Sequence, residues 1–74
     1  MKIFKVERPE DDWGYNEYDG FVVIAENEAE ARNTQPSSLQ EQWPVSPNKL
    51  IVTEIGEANP DVKPGVILAS FVAG

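Results

Sequence analysis

The chain has 74 residues, no cysteine and no histidine, and its thirteen acids against six bases give a formal net charge of −7. A chain this short hides only about 60 to 65% of its unfolded surface, so one small domain over residues 1–74 is expected, without a disulfide framework, a thiolate or imidazole metal site or a histidine-based triad. The charge disfavours direct contact with nucleic acid or anionic lipid, and it suits either a basic partner or simple solubility.

In chain order, Lys2-Ile3-Phe4-Lys5-Val6-Glu7-Arg8 alternates, with Phe4 and Val6 on one face and Lys5 and Glu7 on the other, the pattern of a half-buried strand. Pro9 cannot donate to a sheet ladder and holds Arg8 extended, so pairing is expected to stop there. Residues 10–20 then carry five carboxylates (Glu10, Asp11, Asp12, Glu17, Asp19) and three aromatics (Trp13, Tyr15, Tyr18) without one Lys or Arg. With two glycines and no helical period, residues 9–20 read as an ordered loop or wide hairpin connection. Its aromatics have two uses open to them: folding back onto the sheet to extend a small core, or standing out as anchors at a binding surface.

Residues 20–25 (Gly20-Phe21-Val22-Val23-Ile24-Ala25) are apolar on both sides of the pleat, which predicts a central strand with a neighbour on each edge and a covered second face. Asn27, with Glu30 three residues on, is a helix start signal, and Pro36 is a stop. The helix is expected over residues 28–35, docked through Ala29 and Ala31 with help from Leu39 and the stem of Arg32, because propensity alone does not hold so short a helix. Residues 37–48 read as an irregular connection with one helical turn around 38–42, in which Trp43 plugs one end of the core. A third strand is expected over residues 49–55, ended by Gly56. Pro64-Gly65 then gives a type II turn signal before a fourth strand over residues 66–72.

The fold class that follows is α+β: a small antiparallel four-stranded sheet with one short helix on one face, in the order β-β-α-β-β. The second face is expected to be partly wetted, covered by loops carrying Trp13 and Trp43, or a dimer interface. No segment has the ~20 apolar residues of a membrane span and no basic-then-apolar leader opens the chain, so the expectation is a soluble, untargeted protein.

Chemistry is sparse. Asp11, Asp12, Asn16, Glu17 and Asp19 have no calcium-loop register. No phosphate-binding glycine pattern occurs, and Ser37, Ser38, Ser46 and Ser70 have no histidine partner. No catalytic, cofactor or metal site is expected, and a 74-residue chain leaves little room for a substrate cleft of ~300 Å³. Bases could stack on the aromatics, but the basic groove such binding needs is missing. The carboxylates suit a Lys- and Arg-rich surface better, with the aromatics supplying desolvated contact area. The expected partner-binding set is Glu10, Asp11, Asp12, Trp13, Tyr15, Glu17, Tyr18 and Asp19. The reading set against it is a solvated acidic loop.

Residues 18–32 (Tyr18-Asp19-Gly20-Phe21 through Glu28-Ala29-Glu30-Ala31-Arg32), with residues 52–58 and 65–74, resemble a group of small acidic proteins carried by phages and prophages. In size and charge the chain also resembles anti-CRISPR inhibitors as a class. The resemblance implies a non-enzymatic protein of the host cytoplasm that inhibits a CRISPR-type complex by occupying a basic nucleic-acid-binding surface. The alternative is a structural or accessory phage protein that works by oligomerisation, with the apolar strand at residues 66–72 contributing the interface; monomer and dimer are both open.

Overall fold

The computed structural model describes residues 1–9 and 14–72. Along the chain these form β1 (Lys2–Glu7), β2 (Glu17–Ala25), α1 (Glu28–Arg32), two one-turn 3-10 helices (Gln40–Gln42 and Pro47–Lys49), β3 (Ile51–Glu57) and β4 (Gly65–Val72). The architecture is α+β, a four-stranded antiparallel sheet with one short α-helix among the described residues, and the strands lie side by side in the order β3-β1-β2-β4. The first two strands in the chain, β1 and β2, are therefore the inner pair, and β3 and β4 are opposite edges. Residues 58–64 cross the end of the sheet to join the two edges.

Alternation in β1 puts Phe4 and Val6 into the core and leaves Lys5 exposed. They meet Phe21, Val23 and Ala25 of β2, together with Ala31, Trp43 and Leu50. These residues come from the sheet face on which α1 and residues 33–50 pack. Trp43 is 3% exposed and plugs this core, its ring edge-on to Phe21 at 5.3 Å between centroids. It lies on the helix side, so it does not cover the second face. That face carries the cross-strand row Thr53, Lys5, Val22 and Leu68, with Glu7 and Ser70 on either side of Gly20.

The helix starts as expected: Asn27 Oδ1 accepts from the Glu30 amide at 2.9 Å. It ends at Arg32, three residues short of the expected 35. The Asn33 and Thr34 side chains donate back to the carbonyls of Ala29 and Glu30 and satisfy the last turn. Ala31 is fully buried and Ala29 exposed, and Leu39 is 49% exposed and gives no docking help. Arg32 contributes through its head rather than its stem. Its guanidinium donates to the carbonyls of Pro47 (2.9 Å) and Leu50 (2.8 Å) and pairs with Glu28, tying the helix to the entrance of β3.

Three further boundaries differ from expectation. Lys49 belongs to a 3-10 turn, so β3 starts at Ile51, and Gly56 lies inside the strand, opposite Ile3, next to a bulge at Ile55. The hydrogen-bonded turn of the β3–β4 connection is at Asn59, whose carbonyl accepts from Val62 while its side chain accepts from Asp61. Gly65 lies in β4, with φ +148°, where an L side chain is strained.

Candidate functional site

The expected acidic connection is shorter than residues 9–20, because β2 begins at Glu17. Glu17 pairs with Val72 and Tyr18 with Phe71, whereas Gly20 pairs with Ser70, so Asp19 is an extra, bulged residue. The bulge changes which way the strand faces. Tyr18 and Phe21 would fall on opposite faces of a regular strand, yet both pack on the core, Tyr18 edge-on to Phe71 at 5.0 Å. Across the hairpin, the Arg8 amide donates to the Asp19 carbonyl at 3.1 Å. Gly20 is required by a close approach: a Cβ there would lie 2.9 Å from the Val6 carbonyl oxygen.

The centre of the site is Arg8, which continues the face of Phe4 and Val6 and is 7% exposed. A buried guanidinium needs partners for its charge and its donors. Nη1 donates to Glu17 Oε1 at 2.8 Å and to the Tyr18 carbonyl at 3.2 Å, and the guanidinium carbon lies 5.9 Å from the centroid of the Trp43 ring, within cation–π range. The end of β1 is thereby joined to the start of β2 and to the connection that carries Trp43. Asn16 supports the turn into β2, with φ 64°, a conformation Asn tolerates better than most residues, and its amide donates to the Val72 carbonyl.

Of the expected partner-binding residues, Glu10, Asp11, Asp12 and Trp13 lie outside the described residues. Tyr15 is 69% exposed at the end of the sheet. Glu17 is committed to Arg8, with its side chain 24% exposed, and Tyr18 is half-buried on Phe71. Asp19 lines a shallow groove of about 190 Å³ on the second face with Lys5, Glu7, Val22, Leu68 and Ser70, and its Oδ1 is buried without a hydrogen-bond partner among the described residues. Sequence reasoning missed Arg8. Its phase with Phe4 and Val6, two residues apart each time, was the signal.

Most of the basic side chains are committed within the chain. Lys2, Lys5, Arg8 and Arg32 each pair with a carboxylate of this chain: Glu54, Glu7, Glu17 and Glu28. Lys49 and Lys63 remain, without an ion pair among the described residues. No group of three or more potential ligand side chains is placed to hold a metal ion among the described residues, and no helix there is long and apolar enough to cross a membrane.

Among the described residues the site is thus the start of β2, held to the end of β1 by the Arg8–Glu17 ion pair. No family model matches the chain, and neither a curated protein nor a solved structure matches it.

Proposed function

We propose that this chain is a non-enzymatic interaction protein of phage type that inhibits a CRISPR-like host defence complex in the host cytoplasm, presenting the acidic, aromatic sequence of residues 10–19 to a basic nucleic-acid-binding surface. The observation that supports this reading is the ion-pair pattern. Four of the six basic side chains are paired with the chain's own carboxylates, which leaves few bases to offset the thirteen acids, and the sequence of residues 10–19 holds five of those acids and no base. Such a surface competes for Lys and Arg side chains that otherwise hold phosphates, and its long-range field speeds encounter. Among the described residues, the hollows on the second face and beside Trp43, about 190 and 160 Å³, are each smaller than the ~300 Å³ at which ligand pockets begin, so neither of them suits a ligand cleft.

The test is competition between this protein and guide or target nucleic acid for an isolated CRISPR effector complex, read by gel shift. Wild type displaces nucleic acid, less well as salt rises. The triple variant Glu10→Lys/Asp11→Lys/Asp12→Lys, which leaves the structural Glu17 alone, loses at least about tenfold in potency, a change of ~1.4 kcal/mol. Equal potency of the variant and wild type would sink the proposal. The second reading, a structural or accessory phage protein that oligomerises, is favoured by one observation: β4, an exposed edge strand, has no charged residue from Gly65 to Val72.

A further inference from the structure

The geometry points to an antiparallel pairing of β4 with β4 of a second copy, centred on Ser70, joining two four-stranded sheets into one of eight strands. This goes beyond the inhibitor reading and does not need it. It also names the interface that the oligomer reading requires, and rests on that reading only in this respect.

Backbone direction comes first. In an antiparallel ladder, residues alternate between those that bond to one neighbour and those that bond to the other. The Arg8 amide bonds to the Asp19 carbonyl, and the register pairs Val6 with Phe21 and Phe4 with Val23. Residues 19, 21 and 23 of β2 therefore turn their polar groups to β1, and Gly20 and Val22 turn theirs to β4. Their partners are Ser70 and Leu68. The backbone groups of Ala69 and Phe71 consequently point outward, to an edge where no strand follows among the described residues.

The two edges are not equivalent. β3 carries Glu54 and Glu57 and is interrupted by the bulge at Ile55, devices that protect an edge. β4 has no charge and no proline, and Ile67, Leu68 and Phe71 are 56%, 68% and 42% exposed. An uncharged strand is where a copy of net charge −7 can meet its like. Ile67 is itself a bulged residue, since Val22 pairs with Leu68 and Val23 with Val66, which leaves residues 68–72 as the regular stretch.

The two-fold register follows. Ala69 faces Phe71 of the second copy, so the outward backbone groups of both are satisfied reciprocally. Leu68 faces Val72, and Ser70 faces Ser70 at the symmetry axis. A small residue thereby meets a large one on the core side, and two apolar residues meet on the other. Registers shifted either way run into the Ile67 bulge or leave the strand. Antiparallel pairing also separates the acidic ends: Glu17 of one copy lies about 20 Å from its equivalent, some two Debye lengths at physiological salt. The seam is only about 17 Å long, so its area falls below the ~800 Å² per partner of a standard interface, and a dimer dissociating in the tens of micromolar (about 10⁻⁵ M) is expected.

Ser70→Cys tests the register, because the chain has no other cysteine. The central pair is of the non-hydrogen-bonded kind with Cα atoms ~4.5 Å apart, within disulfide range. Under mild oxidation Ser70→Cys is expected to give a covalent dimer at least about tenfold faster than Leu68→Cys or Thr53→Cys, read on non-reducing gels. In parallel, sedimentation of the wild type should show mass rising from monomer to dimer with concentration, and rising further with added salt as like charges are screened. Leu68→Lys, at a position already exposed, should sediment as monomer with unchanged circular dichroism. A wild type that stays monomeric at millimolar concentration overturns the pairing and leaves the edge to another protein's strand. Fastest cross-linking at Leu68→Cys overturns it in favour of assembly through the second face, and fastest at Thr53→Cys in favour of β3. None of these outcomes bears on competition with nucleic acid.

Discussion

Replacement of Arg8 by alanine should unfold a large part of the stability of this chain. The guanidinium is held by Glu17 Oε1 at 2.8 Å, the Tyr18 carbonyl at 3.2 Å and the Trp43 ring at 5.9 Å, and its side chain is 4% exposed. Removing one partner of a fully buried pair costs about 3–5 kcal/mol. Glu17 keeps 24% of its side chain in solvent and can rehydrate, which lowers the expected loss to ~2–3 kcal/mol. A 74-residue domain has about 4–11 kcal/mol in total at typical values per residue. The loss corresponds to a fall in Tm of roughly 10–20 °C, measured by thermal circular dichroism. Arg8→Met/Glu17→Gln, which replaces the ion pair by neutral groups of similar volume, should lie within about 1 kcal/mol of wild type. If Arg8→Ala melts within about 3 °C of wild type, equivalent to under ~0.7 kcal/mol, the clamp is not a clamp and the reasoning fails.

Gly20→Ala should be destabilising by about 1–3 kcal/mol in urea titration, because its Cβ would meet the Val6 carbonyl, which belongs to the backbone and cannot swing away; a neutral result would mean that β1 and β2 separate more easily than their pairing indicates. Asn27→Ala removes the acceptor of the Glu30 amide and should cost ~1 kcal/mol, whereas Asn27→Asp should be near neutral or better. The same titration reads both.

Local signals were readable wherever the chain's structure depends on near neighbours. The alternation of Phe4 and Val6, the Asn27–Glu30 cap and the β-branched run of β3 each involve contacts a few residues apart, and each element appears close to its expected place. The first residues of β2 were not readable, for a physical reason. Tyr18 owes its strand conformation to Phe71, more than fifty positions later, and the bulge at Asp19 inverts the face pattern by which a strand is recognised. Glu17 likewise looked like one more surface acid. Its partner Arg8 stands on the far side of the connection, and a basic residue beside a proline gives no hint of burial unless its phase with Phe4 and Val6 is weighed. The acidic and aromatic composition of the site was plain from the sequence, but the division of labour within it was not: Glu17 and Tyr18 are part of the framework, and Tyr15 is outward. Glu10, Asp11, Asp12 and Trp13 lie outside the described residues.

The crossing of residues 58–64 over the end of the sheet has a consequence for how the chain is made. β2 is complete by residue 25, yet the strand that covers its outer side begins only at residue 65. During synthesis at about 5–20 residues per second, the outer backbone groups of Gly20, Val22 and Ile24 wait a few seconds for their partner. Sheets closed by such distant pairings also fold more slowly than those built from successive hairpins. Through that interval the growing chain exposes an unpaired apolar strand, so its yield in a cell should depend on the speed of translation through residues 26–64 and on chaperone supply, even where the finished protein is stable.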